Sequence, residues 1–197
     1  MENKGFLSNA ENYTMLFDFY EMTMSNGYFK IGRGQEITYF DVFFRTIPDG
    51  AGYAVFAGLE QVIEYIKNLR FTDEDIEMLR AKGIFDEAFL AYLKDFRFTG
   101  DIYAMKEGTP IFPGEPIMTV RAPAIEAQLI ETFVLLSLNH QSLIATKASR
   151  IVRAAKGRPV AEFGSRRAHD LKSFFCFSYA RSIEPFLAIV RKARVET

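Results

Sequence analysis

Residues 96–121, FRFTGDIYAMKEGTPIFPGEPIMTVR, are cut by glycine and proline at short intervals, and over residues 124–156 the cutting stops. Proline removes a backbone donor and glycine weakens a helix interior, so only short extended runs fit between the breaks. That spacing predicts a compact antiparallel meander over 96–121. Residues 124–155 then turn helical and read as two helices meeting near SLNHQS at 137–142. The switch sets a boundary near residue 123: a mixed α+β unit over 1–123, and the start of an α/β unit from 124. GRPVAEF follows as a turn and short buried strand, and GSRRAHD as the loop leaving its C-terminal end.

The segments before 96 are more regular. Tyr13, Leu16, Phe17, Tyr20 and Met24 recur at helical spacing, with Ser8 and Asn9 as caps upstream. Met15, Phe19 and Met22 fall on another side, which predicts a first helix buried on two sides and weakened or ended at Gly27. ITYFDVFFR at 37–45 alternates as a strand does, and 46–58 reads as turn and loop. Leu59, Val62, Ile63, Ile66 and Leu69 give an amphipathic helix. Thr72 before Asp73-Glu74-Asp75 caps the next one, and Asp86 opens a third.

Charge is unevenly spread. Residues 1–138 hold 12 Lys and Arg against 21 Asp and Glu, whereas residues 139–197 hold 12 against 4. A basic second half suits an anionic ligand; attraction between the halves, or to a neighbouring copy, is the other reading. No apolar run approaches the ~20 residues of a membrane-spanning helix. The N-terminus carries no apolar secretory segment, and the single Cys176 has no partner for an internal disulfide. Together these predict a cytoplasmic protein without membrane attachment.

The chemistry concentrates in PVAEFGSRRAHD, residues 159–170. Loops leaving the C-terminal ends of strands are where α/β sheets and barrels hold ligands. Arg166 and Arg167 offer planar, permanent cations for a carboxylate or phosphate. Phe163 offers a face for stacking, and Gly164 lets backbone approach closely. These residues suit a flat ring bearing an anion; a surface loop with two solvated arginines and a core phenylalanine is the plainer alternative. His140 and His169 have no metal-ligand spacing, so no metal site is expected. GRGQE at 32–36 lacks the Lys-Ser/Thr of a phosphate loop, and no aromatic interleaving points to nucleic acid.

Five blocks, NYTMLFDFYEMTMSNGYFK, FDVFFRTIPDGAGYAVFAGLEQVIEYI, GTPIFPGEPIMTVRAPAIEAQLIET, NHQSLIATKASRIV and EFGSRRAH, occur in one order over residues 9–170. In order and spacing they resemble the nicotinate phosphoribosyltransferases. The resemblance implies a type II phosphoribosyltransferase-like fold: an α+β N-terminal domain followed by the start of an α/β barrel. It implies formation of nicotinate mononucleotide and pyrophosphate from nicotinic acid and phosphoribosyl pyrophosphate, in NAD biosynthesis. ATP hydrolysis, Mg2+ and a homodimer with shared active sites belong to the same expectation. By position, Tyr20 matches the tyrosine of a D-x-Y-x-x-T-M helix that covers the pyridine ring across the dimer. Phe163 matches a ring-stacking phenylalanine, with Gly164 beside it. Arg166 matches the arginine facing the ring substituent and phosphates, and Arg167 is the second cation.

The resemblance stops after residue 170. Residues 171–197, LKSFFCFSYARSIEPFLAIVRKARVET, match nothing in the family, and neither His140 nor His169 stands in the context of its phosphorylated histidine. This predicts domains at 1–123 and 124–170 with an unmatched tail at 171–197, and a barrel left incomplete. The alternative function is therefore a truncated or frame-shifted, non-catalytic fragment that associates only with itself or an intact copy.

Overall fold

The computed structural model describes residues 12–160. After a 3-10 turn at Tyr13–Met15 come α1 (Phe19–Lys30), β1 (Ile37–Val42), a 3-10 turn at Pro48–Gly50, β2 (Ala54–Val55), α2 (Leu59–Asn68), α3 (Asp73–Arg80) and α4 (Glu87–Lys94). Then follow β3 (Asp101–Ala104), β4 (Pro110–Ile111), β5 (Met118–Pro123) and α5 (Ala124–Ala154). β1, β5 and β3 form a three-stranded sheet in that order, and β2 pairs with β4. The described chain divides into two compact units, one of residues 12–40, 62–101 and 120–134, the other of 41–61, 102–119 and 135–160.

The first unit is mainly helical. Phe89, Leu90 and Leu93 of α4 are fully buried, as are Met22 of α1, Val62 of α2 and Ile125 of α5. Each such side chain stabilises the fold by about 1.5–3 kcal/mol. Aromatic rings fill much of the remaining space: Phe29 meets Phe89 at 5.6 Å, Phe71 meets Phe96 edge-on at 5.9 Å, and Tyr65 stacks on Phe133 at 3.8 Å. Thr72 and Asp75 form the capping box that the sequence predicts at the start of α3, each side chain bonding the other's backbone N–H. Gly100 is required by packing. A Cβ there would stand 2.6 Å from the Arg121 carbonyl oxygen and 2.4 Å from the Ala122 Cβ.

In the second unit the two-residue strand β2 is held from both sides. Ala54 and Val55 pair antiparallel with Ile111 and Pro110, and Phe56 N–H continues that side by donating to Thr109 O at 3.0 Å. The alternate amides face α5: Val55 N–H donates to Thr146 Oγ1 at 2.8 Å and Ala57 N–H to Ser142 Oγ at 3.1 Å. Two strand residues advance about 6.6 Å and four helix residues about 6 Å, so hydroxyls four apart meet amides two apart. Buried Ala145 and Ala148 let the helix approach this closely. Gly58, at φ +106°, then turns the chain into α2, and Glu107 Oε1 accepts the N–H groups of Gly58 and Leu59 at 2.6 and 2.7 Å.

Three expectations need correction. The first helix starts at Phe19, because Asn12 caps a separate 3-10 turn at Tyr13–Met15 and the backbone is extended at Asp18. It continues through Gly27, where a side chain would meet only open space. The 96–121 segment is no meander. β3 neighbours β5, whereas β4 leaves to pair with β2, and Pro110 sits in it opposite Val55, where no proline donor is needed. Finally, α5 runs unbroken through 137–142. The polar stretch SLNHQS reads as the meeting of two helices, but within it the Ser142 hydroxyl bonds out to Ala57 N and O rather than competing for the helix backbone.

Candidate functional site

α1 presents Tyr20 at its first turn. Asp18 has extended φ/ψ and precedes the helix without capping it through its side chain. Its N–H donates instead to Thr132 Oγ1 of α5, at 3.1 Å. Thr132 in turn donates its hydroxyl proton to Glu21 Oε1 at 2.8 Å. Tyr20 thus lies on a turn tied to α5 on both sides of it in sequence. The turn faces two ways. Glu21 and Met22 are buried, whereas Phe19 and Tyr20 are each 50% exposed and Met24 is exposed as well. The helix predicted to be buried on two sides is buried on one in the single chain, and the other carries apolar surface.

Carboxylates dominate the electrostatics around this turn. Glu131 foremost, then partial burial and the carboxylates of Glu21 and Asp18, hold the Tyr20 phenol above its usual range, so it stays neutral at physiological pH. Burial pushes Glu21 up to about 7, with Glu131 and Asp18 adding to it and the Thr132 hydrogen bond opposing it. Glu131 is itself raised, chiefly by burial, although Gln128 donates to its Oε2 at 3.1 Å. Glu21 Oε2, Ser25 Oγ, Asn26 Oδ1 and the Tyr65 hydroxyl are buried without hydrogen-bond partners. Burial, with the Glu21 charge behind it, raises the Tyr65 phenol strongly.

Of the residues expected to contact substrate, Tyr20 is described. Phe163, Gly164, Arg166 and Arg167 lie outside the described residues, as does most of the strand expected in GRPVAEF. His169 and Cys176 lie outside them too, and His140 sits half-buried in α5. Among the described residues no group of three or more His, Cys, Asp or Glu is placed to hold a metal ion. No helix among them is long and apolar enough to cross a membrane. A cavity of about 610 Å³ in the helical unit, lined by Phe29, Tyr92, Phe96, Arg97, Thr99 and Glu126 among others, contains none of the expected residues. Sequence reasoning passed over Glu21, Glu131 and Thr132. The available signal was a charged residue in a helix beside Met22, with Ser25 one turn further on the same face.

The fold places the chain among the type II phosphoribosyltransferases. It matches the crystal structure of human nicotinic acid phosphoribosyltransferase with a TM-score of 0.74 and 32% identity, over 84% of this chain and 34% of that one. Nicotinate-nucleotide pyrophosphorylase from Pyrococcus furiosus matches at TM-score 0.61 and 23% identity, over 86% and 36%, a likeness of fold alone. Residues 15–139 match the nicotinate phosphoribosyltransferase (NAPRTase) N-terminal domain, and the chain belongs to the nicotinate phosphoribosyltransferase family.

Nicotinate phosphoribosyltransferase pncB2 of Mycobacterium tuberculosis is 49% identical over 152 residues, 77% of this chain and 33% of that protein. Nicotinate phosphoribosyltransferase of Bacillus subtilis is 45% identical over 171 residues, 87% and 35%. The chain spans about a third of the length of the curated relatives it matches.

Proposed function

We propose that this chain acts in the transfer of a phosphoribosyl group to nicotinic acid. The reaction gives nicotinate mononucleotide and pyrophosphate, a step of NAD biosynthesis. The observation that carries this reading is a half-exposed aromatic residue of the family's first-helix motif, Tyr20, held on a turn tied to α5 through Thr132. Tyr20 covers the pyridine ring of a second subunit while Phe163 stacks on the ring. Arg166 faces the carboxylate and the phosphates, and Arg167 adds a second cation. A departing pyrophosphate leaves positive charge on the ribose, so catalysis rests on positioning and charge stabilisation. ATP hydrolysis accompanies the reaction, and Mg2+ accompanies phosphoribosyl pyrophosphate. Among the described residues no group of three or more His, Cys, Asp or Glu stands together for the ion.

A second reading is association without catalysis, with itself or with an intact copy. The exposed Phe19, Tyr20 and Met24 favour it, since apolar side chains on one helix face gain free energy when covered.

The test is conversion of labelled nicotinic acid to the mononucleotide by purified protein supplied with phosphoribosyl pyrophosphate, ATP and Mg2+. Turnover that is lost in Arg166→Ala and weakened through KM in Tyr20→Ala supports the first reading. A folded protein with no turnover, which forms mixed dimers with a full-length relative, supports the second.

A further inference from the structure

We infer that Glu21 is a positioning residue for Tyr20: by holding or releasing one proton on its buried carboxyl, it sets how tightly the first turn of α1 is tied to α5. The inference rests on the proposed function only in taking Tyr20 as the residue that meets the pyridine ring.

Among the described residues, the hydrogen bonds between this turn and α5 run through one group. One hydroxyl, Thr132 Oγ1, carries both ties, accepting from Asp18 N–H at 3.1 Å and donating to Glu21 Oε1 at 2.8 Å. A threonine hydroxyl has one proton, so it cannot serve a second acceptor. Glu21 Oε2 is left buried without a donor. The groups whose charges act there are Asp18 on the helix's own N-terminal side and Glu131 from α5, both carboxylates. The phenols of Tyr20 on α1 and Tyr65 on α2 respond to the Glu21 charge. No cation forms an ion pair with Glu21 among the described residues.

Protonated, Glu21 is a neutral group suited to its burial. Ionised, it becomes an unpaired buried anion beside two other carboxylates, a state that burial strongly disfavours. The inexpensive relief is for the first turn to lift and admit water, because that turn already has one side exposed. Lifting it displaces Tyr20. The turn is therefore closed with the proton on and loosened with the proton off, and the change falls near neutral pH.

The experiment reads the Tyr20 backbone directly. The full chain is labelled with 15N-tyrosine, and the Tyr20 amide resonance is assigned by its loss in Tyr20→Phe. It is then followed from about pH 5 to about pH 9. The expected result is an inflection near 7, kept in Thr132→Ser, abolished in Glu21→Gln, and abolished in Thr132→Val, which leaves the carboxyl but removes the tie. A Tyr20 amide with no inflection in the unmodified chain overturns the inference, and so does an inflection that survives in Thr132→Val or Glu21→Gln. Should one of these two variants fail to fold, the other gives the answer. No turnover is needed, so a chain inactive in phosphoribosyl transfer still returns a result, and failure of the proposed function is told apart from failure of this inference.

Discussion

Thr132 gives its only hydroxyl proton to Glu21 Oε1 at 2.8 Å, and nothing among the described residues donates to the second oxygen of that carboxyl. Half of the carboxylate is satisfied and half is stranded. The arrangement suits an acid that keeps its proton, and it has a measurable effect on stability.

Stability should fall as pH rises through neutrality because of Glu21. Its carboxyl ionises near 4.5 when solvated and near 7 in the fold, so the folded chain binds the extra proton between those values. The contribution is fully present below 4.5 and lost as pH passes 7. The loss is at most about 3 kcal/mol. Urea unfolding at about pH 5 and about pH 8 should show a steeper drop for the unmodified chain than for Glu21→Gln. Equal drops would mean the carboxyl is already ionised at low pH.

Thr146→Val should cost about 1–3 kcal/mol, because it strands the buried Val55 N–H that now donates at 2.8 Å. Thr146→Ser keeps the hydroxyl and should recover most of the loss. Valine as stable as threonine, by the same unfolding measurement, would mean that the Val55 amide finds water.

Two glycines should answer an added methyl in opposite senses. Gly100→Ala drives a Cβ to 2.6 Å from the Arg121 carbonyl oxygen, and backbone on that side cannot swing away, so destabilisation of about 1–3 kcal/mol is expected. Gly27→Ala meets nothing within 4 Å inside α1 and should stabilise by up to about 1 kcal/mol. Thermal unfolding of the pair checks both signs in one experiment.

Thr72→Ala removes the hydroxyl that accepts Asp75 N–H at 3.2 Å and donates to Asp75 Oδ2 at 2.8 Å. The expected loss is about 1 kcal/mol, with faster hydrogen exchange in the first turn of α3. Unchanged exchange there would show that the acidic first turn suffices as a cap.

Where local rules and packing agree, the sequence was readable. Val62 and Leu69 are buried as the periodicity predicts, although Ile63 of the same set is exposed, and Thr72 caps α3 as its acidic run suggests. It was unreadable where a distant partner decides the outcome. The stretch SLNHQS looks like a helix interruption until Ala57, 85 residues from Ser142, takes up that hydroxyl. The two residues of β2 carry too little pattern to be distinguished from a loop, and their pairing with β4 splits what reads as one meander. At the candidate site, Tyr20 is singled out by its motif, and the structure shows it half-exposed in the first turn of α1. Glu21 is not singled out, because periodicity assigns a charged residue to the solvent side and here it is buried. The other expected contacts fall outside the described residues.

The alternation along β2 makes neighbouring amides into independent gauges. Phe56 N–H can exchange with solvent only when the pairing to the 109–111 segment opens, whereas Val55 and Ala57 wait on α5 to withdraw its hydroxyls. A deuterium time course over three consecutive residues would therefore separate strand opening from helix departure. The chain reports two distinct local unfolding events within 7 Å or so of backbone, with no label added to it.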